Sequence, residues 1–303
     1  MKIVFFGTPD FALPTLDKIL SSSHSIEGVV TAPDKKRGRG RKITFTPVKE
    51  FAVRNHIPVF QPEKLKDENF ISELKNIDAD IYVVVAFRIL PESIFTIPPF
   101  GSFNLHGSLL PKYRGAAPIQ WALINGETKT GVTTFFLKKK VDTGSIILQK
   151  EIDILDTDNF GSLHDKMSLL GADAILETLD LIENAERLEL KEQDNSLASP
   201  APKITKEITK IDWNKPAVKV HNLVRGLSPY PGASFNQNDK IYKVFRTEIM
   251  TITNLQPGEI YQTKDEIIIG AENSAIRILE LQPEGRKRMK TEEFLRGYSL
   301  IAK

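Results

Sequence analysis

The sequence predicts an α/β protein: a mainly parallel sheet carrying helices, followed by a smaller β-rich domain that reads as a small β-barrel. Three observations lead there. Strand-like and helix-like segments alternate through the first half of the chain, a polar stretch with two prolines interrupts them near residue 191, and short strand-like runs separated by turn residues follow. Alternation of this kind requires right-handed crossovers, and therefore mainly parallel strands.

Lys2–Phe6 is a short apolar run ending at Gly7, a first strand. Asp10 is placed to cap a helix running to about Ser22, with Leu13, Leu16, Ile19 and Leu20 on one stripe. Gly28–Val30 is a second strand. Thr46-Pro47 is an N-cap followed by proline at the first helical position, and that helix runs to about Asn55. Ile81–Ala86 is β-branched and almost wholly apolar, as a central strand covered on both faces must be. Pro118–Ile124 is a helix stopped by Asn125-Gly126. Gly131–Leu137 and Gly144–Leu148 read as further strands. A long helix from about Gly161 to Glu183 repeats Leu163, Met167, Leu170, Ala174, Leu179 and Ile182, and closes the first core. Lys191–Lys203 then reads as a linker. Beyond it, Tyr242–Phe245, Ile267–Ile269 and Ala275–Leu279 are strand-like. These signals place a first domain at 1–189, a linker at 190–206 and a second domain at 207–303.

Composition narrows the function classes. The 303 residues are 41% hydrophobic and 26% charged with a net charge of +2, so the chain can bury a core and carries no whole-molecule field for nucleic acid or membrane. Cysteine is absent, which excludes a disulfide scaffold, a thiolate-bound metal and a thiol nucleophile. The opening M-K-I-V-F-F-G is too short for a signal-peptide core, and the longest apolar run, Ile81–Phe87, falls far below the ~20 residues of a membrane helix. A soluble, cytoplasmic protein is expected. Charge is unevenly distributed: residues 203–303 hold 17 Lys and Arg against 12 Asp and Glu, a net of +5 on an otherwise mildly acidic chain. That excess suits either a polyanionic partner or an ordinary solvated surface.

The chemistry concentrates in Gly101–Gln120, G-S-F-N-L-H-G-S-L-L-P-K-Y-R-G-A-A-P-I-Q. Asn104 and His106 are two apart at the end of a strand, so both side chains share one face. An amide donor beside an imidazole can stabilise an oxyanion; a core-satisfied histidine is the competing reading. Asp142, in V-D-T-G-S, is either a turn former or an acid that orients His106 and favours its charged form. No serine or threonine is placed as a nucleophile, and the other histidines (His24, His56, His164, His221) are scattered. Neither a covalent intermediate nor a catalytic metal is expected. A second cluster, Asp34–Lys42 (D-K-K-R-G-R-G-R-K), puts six cations into an exposed loop that suits phosphates. Arg286, Lys287 and Arg288 begin a third basic run. F-G-T-P-D lacks G-x-G-x-x-G, so a nicotinamide site ranks last.

Taken together, these segments resemble the methionyl-tRNA formyltransferase family. The resemblance rests on N-L-H-G-S-L-L-P-K-Y-R-G-A-A-P-I-Q-W-A (Asn104–Ala122), F-G-T-P-D-F-A (Phe6–Ala12), the P-D…G-R-G-R-K stretch with T-P-V-K after it (Pro33–Lys49) and V-D-T-G (Val141–Gly144). In the second domain it rests on I-D-W (Ile211–Trp213), R-G-L-S-P-Y-P-G-A (Arg225–Ala233) and L-Q-P-E-G-R-K-R-M (Leu281–Met289), so it covers nearly the whole chain. It implies a Rossmann-like catalytic domain, an OB-like C-terminal barrel that binds tRNA, and transfer of formyl from 10-formyltetrahydrofolate, as co-substrate, to the α-amino group of methionyl initiator tRNA. It puts Asn104, His106 and Asp142 at catalytic positions. Phe87, Arg88, Ile89 and Leu90, with Ser108, Leu109, Leu110 and Pro111, become folate-contact residues. Lys35, Lys36, Arg37, Arg39, Arg41 and Lys42 become a loop entering the acceptor stem at a weak first base pair, and Arg286, Lys287 and Arg288 further tRNA contacts. No metal, no membrane and a monomer are implied.

Two departures stand out. Relatives often read A-Y-G-x-I-L-P where this chain has the shorter A-F-R-I-L-P (Ala86–Pro91), and Lys138–Lys140 occupy a place where an acid is common. The Asn-His-Asp set is shared with enzymes formylating small amines from the same donor, so a formyl-folate-dependent transferase acting on a small nucleotide-linked amine is the alternative. A tRNA-binding module with an inactive transferase domain is a third.

Overall fold

The computed structural model describes residues 1–37, 42–251 and 254–301, with the backbone alone for residues 36, 37, 42 and 43. They group into two compact units: Met1–Gly115, Gly131–Ile152 and His164–Pro200 form the first, and Ala116–Thr130, Asp153–Leu163 and Ala201–Lys303 the second.

The first unit is built on a seven-stranded sheet. β1 (Lys2–Gly7) pairs in parallel with β2 (Ser25–Val30). A hairpin of β3 (Lys35–Arg37) and β4 (Lys42–Thr44) follows, with Lys35 opposite Thr44. β5 (Val59–Phe60) joins β2 in parallel. The chain then returns to the other side of β1, where β6 (Ile81–Val85) and β7 (Ser102–His106) add in parallel. After the short β8 (Arg114–Gly115), β9 (Lys129–Phe136) runs antiparallel to β7, and β10 (Ile146–Asp153) forms the edge, giving the order β10-β9-β7-β6-β1-β2-β5. The mainly parallel expectation holds for five strands, whereas β9 pairs with β7 in the antiparallel sense.

Every residue of β6 is buried, as the unbroken apolar run requires. Val4, Phe6, Tyr82 and Val84 of the sheet pack with Phe70, Leu74 and Ile94. Phe70 and Leu74 belong to α3 (Glu68–Asn76), and Ile94 to α4 (Glu92–Phe95). The first helix, α1, is shorter than the stripe suggests: Asp10–Ala12 form a 3₁₀ turn and the α-helix occupies Leu13–Leu20. Pro14 explains this, because a proline fits only the first turn of a helix. α2 (Pro47–Arg54) starts as its sequence demands, the Thr46 hydroxyl accepting from Lys49 N at 3.1 Å. Replacing Thr46 with Ala is expected to cost about 1 kcal/mol, read as a lower urea midpoint at unchanged m-value. α5 (Pro118–Asn125) lies in the second unit and ends at Gly126, whose φ of +79° is the left-handed cap that the sequence announced. α6 (Phe160–Asn184) is the long helix; a Cβ on its Gly171 would come within 2.5 Å of Leu105, so this glycine lets the helix lie close on β7. At the edge, Ile146 and Lys191 exchange two backbone hydrogen bonds of 2.8 and 3.0 Å.

After β11 (Pro200–Ala201) and α7 (Ala217–Gly226), the second unit is an antiparallel sheet. Its strands are β12 (Ala233–Gln237), β13 (Lys240–Met250), β14 (Ile260–Gln262), β15 (Ile267–Ala271), β16 (Ser274–Pro283) and β17 (Met289–Lys290). They are ordered β12-β13-β16-β15-β14, with β17 on β16, and α8 (Thr291–Leu295) closes the element list. Register shifts around Arg246 bend β13 against β16 and curl the sheet into a half-barrel. Its core holds Val244, Ile269, Ile278 and Leu281, with a run of ring contacts from Trp213 through Phe235, Tyr242 and Phe294 to Tyr298. No helix among the described residues is long and apolar enough to cross a membrane.

Candidate functional site

The chain leaves β1 towards β2 and comes back beside β1 as β6, so the strand order reverses between β1 and β6. In open α/β sheets, ligands bind in the crevice outside the carboxyl ends of the strands at such a point. Here that crevice is flanked by Gly7, by the turn after Val85, and by the end of β7.

Asn104 and His106 are carried on β7, two residues apart and so on one face. Asn104 is half-buried and its carboxamide makes no hydrogen bond to the described residues. His106 is buried, with Nε2 at 2.8 Å from the carbonyl oxygen of Tyr113. A carbonyl only accepts, so Nε2 carries the proton and Nδ1 is the open position of the ring. Asp142 sits in the turn between β9 and β10 with φ +53°, and its Oδ2 accepts from Gly115 N at 2.9 Å. The structure therefore gathers both residues onto one short segment, Tyr113–Gly115, but makes no hydrogen bond or ion pair between His106 and Asp142. Asp142 does form a turn, and that turn presents its carboxylate to the Gly115 amide.

Ser108 is fully buried, its hydroxyl donating to Lys112 O at 2.6 Å. Thr133 holds the turn after it, donating to Ser108 O at 2.6 Å and accepting from Leu110 N at 3.0 Å. Gln149 Nε2 donates to Leu110 O at 2.9 Å. Ser108–Pro111 is thus a fixed backbone ledge, with Leu110 buried and Leu109 and Pro111 partly open. Across the crevice, Ala86 adopts φ +50° and turns the chain into Phe87–Leu90. Phe87 packs edge-on against Phe6, Leu90 is buried, and Ile89 is 72% exposed. Arg88 does not point into solvent: its guanidinium donates to the carbonyls of Pro62 and Glu63 at 2.9 and 3.1 Å, and burial lowers its pKa. The unusual arginine of this chain thus braces the segment from behind.

The basic cluster is a hairpin rather than a plain loop, because Lys35–Arg37 and Lys42–Thr44 pair. Its base is fixed: Lys49 Nζ meets Asp34 at 2.6 Å and Gln61 Nε2 donates to Asp34 at 2.9 Å, contacts that hold the Asp34 carboxyl below its ordinary pKa. Lys35 is exposed. Arg39 and Arg41 lie outside the described residues, as do the side chains of Lys36, Arg37 and Lys42. In the second unit, Arg286, Lys287 and Arg288 are all exposed between β16 and β17. Arg288 is tied to Glu280 and lies over the Phe245 ring at 4.6 Å, while Arg286 approaches the Tyr298 ring at 5.8 Å.

Sequence reasoning missed the groups that hold the site. Tyr113, Arg114 and Gly115 stood inside the quoted motif without a role, and Gln193 was read as linker. A lone glutamine in a polar stretch has no pattern to find it by.

Residues 1–179 match the family described as Formyl transferase, and residues 203–299 that described as Formyl transferase, C-terminal domain. The methionyl-tRNA formyltransferase of Bacteroides fragilis is 46% identical over 310 residues, covering 99% of this chain and 96% of that protein. That of Caldanaerobacter subterraneus subsp. tengcongensis is 44% identical over 303 residues, covering 99% and 98%. Among solved structures, the sugar 3N-formyl transferase WlaRD, crystallised with dTDP and 5-N-formyl-THF, superposes with a TM-score of 0.71 at 21% identity, covering 95% of this chain and 99% of that one. HypX from Aquifex aeolicus in complex with tetrahydrofolic acid gives 0.66 at 18% identity; 98% of this chain is covered, but it spans about half of that one (48%). These two structures share the fold.

Proposed function

The chain belongs to the formyl transferase family, and from that premise we propose that it moves a formyl group from 10-formyltetrahydrofolate to the α-amino group of methionyl initiator tRNA, giving N-formylmethionyl-tRNA for translation initiation. Identity of about 46% along the full length to methionyl-tRNA formyltransferases supports the acceptor. The observation that carries the chemistry is the Asn104 carboxamide, which makes no hydrogen bond to the described residues, beside His106 at the carboxyl end of β7.

The acceptor amine is already a good nucleophile, so no side-chain nucleophile is needed. Its nitrogen lone pair attacks the formyl carbon, and the C=O π pair moves onto oxygen. Asn104 Nδ2–H donates to that oxyanion, and His106, when protonated, donates from Nδ1 while Nε2–H stays on Tyr113 O. Collapse of the intermediate re-forms C=O and breaks the bond to N10 of the folate. The proton lost by the amine reaches N10 by way of the Asp142 carboxylate and solvent. Phe87–Leu90 and Ser108–Pro111 hold the donor. Residues 1–189 form the catalytic domain in this reading, 190–206 the linker and 207–303 the tRNA-binding domain.

The test is transfer of labelled formyl from 10-formyltetrahydrofolate to methionine-charged initiator tRNA beside charged elongator methionine tRNA. Fast transfer to the initiator alone is expected. Folate binding with no transfer to either tRNA would instead favour a small nucleotide-linked amine. Neutralising Lys35, Lys36, Arg37, Arg39, Arg41 and Lys42 together should raise KM for tRNA. It should also flatten the log–log salt dependence of tRNA binding by roughly 0.7–0.9 per phosphate contact removed. An unchanged slope would take the hairpin out of tRNA recognition.

A further inference from the structure

We propose that Gln193 is a positioning residue for Asp142, tying the Asp142 turn to Arg114; the inference rests on the formyl-transfer reading above. The Gln193 carboxamide bridges two parts of the site that are far apart in sequence. Its Nε2 donates to the backbone carbonyls of Asp142 and Gly144 at 3.0 and 2.8 Å. Its Oε1 accepts from Arg114 Nε and Nη2 at 3.1 and 2.6 Å. A guanidinium only donates and a carbonyl only accepts, so the amide can be oriented in one way alone, and both its hydrogens and both its lone pairs are used.

The contacts close a ring. Arg114 leads along the backbone to Gly115, Gly115 N donates to the Asp142 carboxylate at 2.9 Å, and Gln193 ties the Asp142 carbonyl back to the Arg114 guanidinium. Arg114 is fixed from outside the ring as well, by Asn195 Oδ1 at 2.9 Å and, through its backbone N, by Ser199 O at 2.8 Å. The ring is needed because Asp142 and Tyr113 both hold left-handed backbone, at φ +53° and +61°, which a non-glycine residue keeps only where its surroundings over-determine it. Tyr113 also offers the carbonyl that fixes His106. Gln193 itself touches neither catalytic side chain; it acts on the carbonyl side of Asp142 and the guanidinium side of the Tyr113–Gly115 segment. The next residue inwards adds a second hold on the same loop, Glu192 accepting from Ser145 Oγ at 2.5 Å and from Lys138 Nζ at 3.2 Å.

Gln193→Glu isolates the proposed role. It keeps acceptors for Arg114 and replaces two donated hydrogens with an oxygen facing two carbonyls. In single-turnover formyl transfer with the full-length protein, this variant should lose roughly 10–100-fold in rate, the range a small misplacement of a catalytic group costs. KM for folate and for charged initiator tRNA should stay within about twofold, and Tm within a few degrees. Because Gln193 acts through Asp142, the same change placed on Asp142→Asn should add less than about threefold. Gln193→Met, of similar volume, should reproduce the loss should the glutamate variant fold poorly. Wild-type rate in either folded variant, or full additivity with Asp142→Asn, would overturn the proposal. Absence of transfer by the unmodified protein would instead overturn the reading beneath it.

Discussion

Asn104→Ala is expected to lose about 10²–10³-fold in kcat, roughly 3–4 kcal/mol of transition-state stabilisation, the usual worth of one oxyanion donor. The fold should survive. The Asn104 side chain makes no hydrogen bond to the described residues, so its removal orphans none of their polar groups. The loss should appear in kcat and in kcat/KM alike, because the interaction exists only once charge has moved onto oxygen. His106→Ala should lose rate on the roughly 10²–10⁴ scale of acid–base help, with some added instability. Here a partner is left behind: the Tyr113 carbonyl loses its 2.8 Å contact in a buried place. Urea midpoints alongside single-turnover rates separate the two effects. Near-full turnover in Asn104→Ala would remove that residue from the mechanism.

Gly144→Ala should be as damaging for a different reason. A Cβ at this position would overlap the carbonyl oxygen of Phe136, a main-chain atom of β9 with nowhere to rotate. The turn that carries Asp142 is closed by this close approach, together with the bond from Phe136 N to Ser145 O at 3.1 Å. Forcing the two strands apart costs of order 1–3 kcal/mol in stability by the usual measure of overpacking. The Asp142 carboxylate moves with the turn, and a displacement near 1 Å is worth about 10²-fold in rate. A lowered urea midpoint together with a rate loss, where Thr46→Ala lowers the midpoint alone, is the expected pattern. An unchanged kcat would show that the turn re-forms around the added methyl.

The sheet was legible wherever local chemistry decides the outcome. Ile81–Val85 could only be a covered central strand, Thr46-Pro47 could only open a helix, and Asn125-Gly126 could only end one. Placing Asn104 and His106 on one face needed no more than the period of a strand. What could not be read is set by contacts between distant segments. The strand-like composition along Lys129–Phe136 is the same for a parallel and an antiparallel strand, so its direction was hidden. Proximity in mechanism suggested that Asp142 bonds His106, whereas its hydrogen-bond partner is the Gly115 amide, because left-handed backbone at Asp142 aims the carboxylate at that segment. The Gln193 ring joins residues about 50 and 80 positions apart, and nothing periodic marks it.

The backbone exchange between Ile146 and Lys191 bears on behaviour in concentrated solution. β10 is a border of the seven-stranded sheet, and a bare border with unpaired amides and carbonyls is a template for another chain. Its apolar beginning, Ile146, is where a foreign strand would gain most, and that is where Lys191 already occupies the hydrogen-bonding groups. The remainder carries Lys150, Glu151 and Asp153, with Lys150 engaged by Glu177 at 2.5 Å. The opposite border, β5, is only two residues long. The segment after α6 therefore does more than connect: it guards the sheet against edge-to-edge aggregation, and cutting the chain near Lys191 would expose an adhesive strand.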